Sequence, residues 1–207
     1  MAIDRVDEAY LLLALDPAGH FPAEVQEHLD RGLAGAWLAE LLVDGRIRMQ
    51  AGKIQRLGHT PMDDPALDWV LERLRARRRP RPASYWIAKL GPRAGRYREL
   101  ILGRLEGRGV VQRTGGRYPV RDLARREEIL ARMRENLSGR RDDEDVLALL
   151  AVLDGAKALD HVFGRGQGLA YHNAIEGRLQ HDHRLLALAR SIRHPHRWWL
   201  AMLGRDQ

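Results

Sequence analysis

Apolar positions recur at helical spacing along most of the chain. Val6, Ala9, Tyr10, Leu12 and Leu13 fall on one helical face, and Asp16-Pro17-Ala18-Gly19 closes that segment. A second helix is predicted from about Pro22 to Asp44, with Gly32 as a candidate break. Its later part, GLAGAWLAELLVD (32–44), carries charge only at Glu40 and Asp44, so it is predicted to be buried on most sides. Beyond Gly45 the period changes. Ile47 and Met49 alternate with Arg46 and Arg48, Ala51-Gly52 can form a tight turn, and KIQRL follows, which predicts a β-hairpin.

Asp64-Pro65 is a helix start with Asp as N-cap and Pro at the first helical position. That helix carries Leu67, Val70, Leu71 and Leu74 and runs into RARRRPRP (75–82), whose prolines end it. A short helix around Trp86 to Leu90 and another from about Arg93 to Gly107 follow. VVQR-TGG-RYPV (110–120) reads as a second hairpin, and Asp122 can cap a helix reaching Leu137. VLALLAVLDGAKALDHVF (146–163), behind the acidic Asp142 to Asp145, is predicted to be the most buried helix of the chain. The remainder is helical after a loop at Gly164 to Gly168 and ends with Trp198-Trp199. The fold class is therefore mainly α, one helical domain over residues 1–207 around a buried central helix, with two short β-hairpins. The sequence helix, Gly-Arg-Ile, hairpin (45–57) recurs weakly as helix, Gly-Val-Val, hairpin (109–120).

Composition narrows the function classes. The 207 residues are 44% hydrophobic, too apolar for a disordered chain. The absence of cysteine excludes disulfides, thiolate metal sites and a Cys nucleophile. No apolar run approaches the roughly 18 residues of a membrane span. MAIDRVDEAY has acids where a signal peptide has basic residues, so the cytosol is the expected compartment. Lys+Arg outnumber Asp+Glu by 35 to 28, a net +7, and only Lys53, Lys89 and Lys157 are lysines. An arginine-rich chain offers planar forks suited to phosphate.

The arginines are not evenly spread. Arg73, Arg75, Arg77, Arg78, Arg79 and Arg81 crowd one helix end and the prolines after it. Near an acidic bilayer each basic residue contributes about 1 kcal/mol, and the same patch would bind a nucleic-acid backbone. The plainer account is a solvated helix end with arginines near its last carbonyls. Arg93, Arg96 and Arg98 open a later helix, where backbone N–H groups favour phosphate, with Glu99 beside them. The histidine pairs His181/His183 and His194/His196 have a spacing that suits a strand, yet lie between helices, and no metal or other cofactor is expected. GRGQG (164–168) lacks the strand and the Lys-Ser/Thr of a phosphate loop and reads as a connector. No G-x-S-x-G elbow is present, and no acid pair demands acid–base work, so catalysis has no residue to rest on. Trp198-Trp199, flanked by Arg193, His194, His196 and Arg197, reads as core packing or as an interfacial anchor.

Two functions remain from the residues alone. One is a peripheral module for acidic or phosphorylated lipid head groups. The other is a winged-helix DNA-binding protein, since each hairpin follows a helix. A recognition helix needs basic or polar side chains. Helix 32–44 offers Glu40 and Asp44, whereas helix 93–107 offers Arg93, Arg96, Arg98 and Arg104 interrupted by Glu99 and Glu106. A protein–protein adaptor is the third class.

Four collinear stretches, EAYLLLALDPAG (8–19), GLAGAWLAELLVDGRIRM (32–49), LEGRGVV (105–111) and DVLALLAVLDGAKALDHVF (145–163), resemble the Golgi phosphoprotein 3 family over roughly Val6 to Leu179. The chain looks like a compact, prokaryotic-type member. The resemblance implies a helical domain around a buried central helix and a cytosolic protein that docks reversibly on membranes through phosphatidylinositol 4-phosphate. It also implies client membrane proteins read as an adaptor, leaves an oligomer open, and implies neither catalysis nor nucleic acid. The family's lipid pocket uses a Trp, an Arg in the GLxG segment and two Arg before the second hairpin. These positions fall here at Val25, Ala34, Gly95 and Arg98; Arg96 adjoins Gly95, and Arg31 lies one turn before Ala34. Arg98, Arg96 and Arg31 are thus the expected phosphate contacts, with Arg75, Arg77, Arg78, Arg79 and Arg81 as the long-range electrostatic patch. The tip Thr114-Gly115-Gly116-Arg117 is polar where eukaryotic members have an apolar inserting tip.

Overall fold

A computed structural model describes residues 5–58 and 60–195. Its mainly helical architecture agrees with the sequence pattern. Helix α1 (Val6–Ala14) is buried along its whole length, and α2 (Ala23–Val43) crosses beside it. Helix α7 (Glu144–Gly155), buried from Val146 to Gly155, packs against α1, α2 and α10 (His183–Arg193) and forms the centre of the core. Around these lie α3 (Pro65–Arg75), α4 (Ala83–Leu90), α5 (Ala94–Gly107), α6 (Leu123–Leu137), α8 (Leu159–Phe163) and α9 (Gly168–Leu179). The buried apolar residues form one contiguous cluster. Among the described residues no helix is long and apolar enough to cross a membrane. Trp198 and Trp199 lie outside the described residues.

Gly32 does not break α2. A Cβ there would sit 2.0 Å from the Tyr10 hydroxyl, so the glycine lets α1 and α2 approach. Gly35 serves α10 in the same way, since its Cβ would lie 2.3 Å from Ile192 Cδ1. Gly32→Val is expected to lower stability by about 1–3 kcal/mol through overpacking, read as a drop in thermal midpoint.

Three boundaries differ from the sequence reading. The run 146–163 is two helices, not one. Lys157 takes φ 57° and the Ala158 N–H donates back to the Leu153 carbonyl at 2.9 Å, so the chain turns sharply between α7 and α8. The first hairpin is a three-stranded antiparallel sheet. Strands β1 (Ile47–Gln50) and β2 (Lys53–Arg56) join through Ala51 and Gly52, both at positive φ, and β3 (Arg81–Pro82) pairs with β2. The second hairpin reduces to the isolated bridges Val111–Val120 and Thr114–Arg117. Its return arm is partly engaged by the α1–α2 loop, because the Tyr118 N–H donates to Gly19 and the Val120 N–H to Pro17.

One end of the core holds buried charge. Asp7 and Glu8 on α1 and Asp64 before α3 are met by Arg5, Arg104 and Arg108. Beside them, Glu40 accepts the Val6 N–H at 2.6 Å. Burial, then the neighbouring Asp7, pushes the Glu40 carboxyl from 4.5 to about 8, against the pull of the Val6 N–H and Arg5. The folded state therefore holds a proton that the unfolded chain releases near 4.5, and stability falls as pH rises from there through about 8. Glu40→Gln is expected to flatten that slope and to exceed the wild type in stability above pH 8, as measured by denaturant melts on either side of it.

Candidate functional site

The arginine cluster closes the corner where α3 ends and the sheet begins. Asp64 caps α3 by accepting the Ala66 and Leu67 N–H groups, and Ala76 ends the helix. The chain from Arg77 to Pro80 then links to β3. Pairing of Ile54 with Arg81 draws that link against β2. Two clefts result. The first, about 240 Å³, is lined by Arg56 of β2, Arg75, Arg77, Arg78 and Arg79, with Ile54, Leu74 and Trp86 behind them. The second, about 170 Å³, lies between α3, α4 and the turn after it, lined by Trp69, Arg73, Arg77, Tyr85, Trp86, Lys89 and Arg93. None of the described residues lining either cleft is acidic, and Arg77 and Trp86 belong to both.

Aromatic rings hold several of these cations. The Arg73 guanidinium lies 5.7 Å from the Trp69 ring centre and that of Arg81 lies 5.6 Å from Tyr85. Tyr85 meets Trp86 edge to face, and Trp69 leans on Tyr97, which meets Trp37 edge to face. Arg75, Arg77, Arg78 and Arg79 are exposed and, among the described residues, make no carboxylate pair. Like-signed side chains with no carboxylate at ion-pair distance among the described residues make the local field positive.

The other expected phosphate contacts have different neighbours. Arg98 donates to Asp30 at 3.3 Å and sits over the Phe21 ring. Arg96 is exposed and lies 5.9 Å from the Tyr97 ring centre. Arg31, on α2, has a buried Nε without an acceptor among the described residues, and burial lowers its pKa from the ordinary value while Glu27 acts the other way. None of the three lines the two basic clefts. Arg81 borders the second cleft through Tyr85. Arg56, Lys89 and Arg93, which do line the clefts, lie outside the sequence cluster. Only the fold of β2 and α4 beside α3 brings them to it.

The helices that would read DNA are otherwise engaged. Residues 32–39 of α2 are buried, so this stretch of the helix, which leads into the first hairpin, has no face for a groove. On α5, Arg98 binds Asp30 and Arg104 binds Glu8 and Asp64. Among the described residues no group of three His, Asp or Glu stands close enough to share a metal ion. His181 and His183 flank Asp182, which caps α10 by accepting the Arg184 and Leu185 N–H groups. His172 pairs instead with Asp154 at 2.7 Å, where Arg193 also donates, tying α9 and α10 to α7.

These features define a helical protein that presents a concentrated cationic, aromatic-backed corner. The chain belongs to the Golgi phosphoprotein 3 (GPP34) family, whose model matches residues 6–202. No individual curated protein shows a significant match to it. Val25 and Ala34, where the resemblance leads one to expect two lipid-pocket positions, lie in the core at 1% and 0% exposure. A third, Gly95, carries no side chain.

Proposed function

We propose that the chain is a non-catalytic peripheral membrane adaptor that docks reversibly, from the cytosolic side, on anionic lipid surfaces, phosphatidylinositol 4-phosphate among them. The observation that carries this reading is the pair of adjoining clefts whose charged lining residues, among those described, are all cationic. Arg75, Arg77, Arg78, Arg79 and Arg81 supply attraction over a Debye length of about 10 Å at 0.1 M salt. Arg96 extends that surface beyond Arg93 along α5. Arg98 contributes a phosphate contact by exchanging Asp30 for lipid, and Arg31 lies on α2 next to Asp30. Membrane-bound client proteins are the partners such an adaptor would hold.

Flotation with liposomes of graded composition tests this. Wild-type protein is expected to float with phosphatidylserine vesicles and with vesicles containing phosphatidylinositol 4-phosphate, and to stay behind with neutral phosphatidylcholine. Removal of both Arg96 and Arg98 is expected to weaken association severalfold; equal flotation would remove them from the contact surface. Tight, sequence-dependent duplex binding at matched salt would replace the membrane reading with the winged-helix one. The buried stretch 32–39 of α2 and the internally paired Arg98 and Arg104 argue against that outcome.

A further inference from the structure

We propose that a cleft at the C-terminal end of α7 binds a small organic carboxylate, its charge on Lys157 and His172 and its aliphatic tail on Leu159 and Leu169. Lys157, His172, Arg193, Asp154, Leu159 and Leu169 line this cleft of about 240 Å³, and none of them lines the two basic clefts. The inference therefore stands apart from the membrane reading. The volume is below the usual roughly 300 Å³ of a pocket for a drug-sized ligand, which suits a molecule of a few carbons.

Lys157 is the first sign of use. It follows the C-cap residue Ala156 and takes φ 57°, where Gly or Asn is the ordinary choice. A residue with a Cβ is strained there. The helix end does not need its charge. The Asp154 carbonyl already accepts the Lys157 N–H at 3.1 Å and the Arg193 guanidinium at 2.9 Å. The Lys157 side chain is exposed and makes no hydrogen bond or ion pair among the described residues. The strained backbone thus delivers an ammonium without a partner to the cleft.

The acids of the cleft already have donors. Asp154, buried, accepts from Arg193 at 2.6 Å and pairs with His172 Nδ1 at 2.7 Å. Asp160 accepts the Gly166 and Gly168 N–H groups at 2.7 and 2.9 Å. Gly168 permits that approach, since a Cβ there would lie 2.8 Å from Asp160 Oδ2. A cationic ligand would compete with these donors. An anion meets the Lys157 ammonium and His172 Nε2, which hydrogen-bonds to no described residue. In the protonated ring Nδ1–H donates to Asp154 and Nε2–H is left for a carboxylate oxygen. Leu159 is buried, whereas Leu169 is 72% exposed. Inorganic phosphate or sulfate would leave both leucines unused, and an acid with an aliphatic tail covers them. Asp154 fixes the His172 ring and Asp160 fixes the loop leading to Leu169, which lowers the ordering cost of binding.

The test follows the His172 imidazole signals of the full chain by NMR, assigned through His172→Gln, in mildly acid buffer of constant ionic strength. Isocaproate, acetate and isocaproamide are the probes. Isocaproate is expected to shift the signals saturably. Acetate, which lacks the tail, and isocaproamide, which lacks the charge, are each expected to bind about tenfold more weakly. Lys157→Gly removes the ammonium and the strain together. It is expected to melt no lower than wild type, to weaken isocaproate about tenfold, and to float with acidic vesicles as wild type does, because Lys157 lines neither basic cleft. Lys157→Arg keeps the charge and is expected to retain most of the binding. No saturable shift overturns the inference. Equal binding of acid and amide also overturns it and leaves a plain apolar crevice. Undiminished isocaproate binding in Lys157→Gly overturns it as well and leaves Lys157 a helix end only. Acetyl-alanyl-leucine carries the same carboxylate at a peptide end: binding tighter than that of isocaproate assigns the cleft to peptide ends, and weaker binding assigns it to free acids.

Discussion

Charge reversal at Arg77, Arg78 and Arg79 to glutamate is expected to abolish flotation on phosphatidylserine vesicles and leave the fold intact. All three side chains are exposed, and none makes a carboxylate pair among the described residues, so folding loses no partner. Neutralising three basic residues near an acidic surface would remove about 3 kcal/mol, or more than a hundredfold in partitioning. Reversal adds repulsion to that loss. The effect is long-range, so it must shrink as salt shortens the Debye length. Wild type and variant should therefore converge in high salt, both unbound. Substitution of Arg121 and Arg125, which already bind Gln112 and Glu128, should change little. If the triple variant floats as well as wild type in low salt, the cationic corner is not the membrane-facing side.

Asp64→Ala is expected to cost about 3 kcal/mol of stability, more than the roughly 1 kcal/mol of an ordinary N-cap. Asp64 is 2% exposed and serves two purposes. It caps α3 through the Ala66 and Leu67 N–H groups, and it binds Arg104 and, at 3.1 Å, Arg5. Burial alone would raise its pKa, but the Leu67 N–H, Arg5 and Arg104 outweigh burial and hold it below the usual 3.8. A depressed carboxylate stabilises the fold above its unfolded pKa, and that contribution is lost as pH falls through the folded value. Wild type and Asp64→Ala should thus differ most near neutrality and converge in acid. Asp64→Asn keeps the cap and loses the charge, so it should fall between them. Equal midpoints for Asn and Asp would show that the cap, not the ion network, carries the effect. Because α3 leads into the arginine corner, weaker vesicle binding by Asp64→Ala near its melting temperature is expected as well.

The sequence determined the elements whose causes are local. Asp64-Pro65 and Asp122 are helix starts because an N-cap acts within three residues. Ala51-Gly52 is a hairpin turn because the next strand follows at once. The apolar periods of α1, α2 and α7 marked the core, since a side chain that cannot meet water must find another helix. The arginines from 73 to 81 were visible as a charge run, and four collinear stretches carried the family likeness.

Only the tertiary structure decided which charges act together. A two-residue strand, β3, has too little pattern to be read, yet its pairing with β2 brings Arg56 to Arg77, while packing of α4 on the sheet brings Lys89. Arg96 and Arg98 are two positions apart and differ in partner, because a helix turns by roughly 200° over that spacing and presents one to Tyr97 and the other to Asp30. Arg104 looked like a surface cation on the same helix and instead joins the ion network at Asp64. Spacing along a chain fixes which face a residue occupies, but the free charge of that face depends on what other elements set against it, and those partners stand tens of residues away.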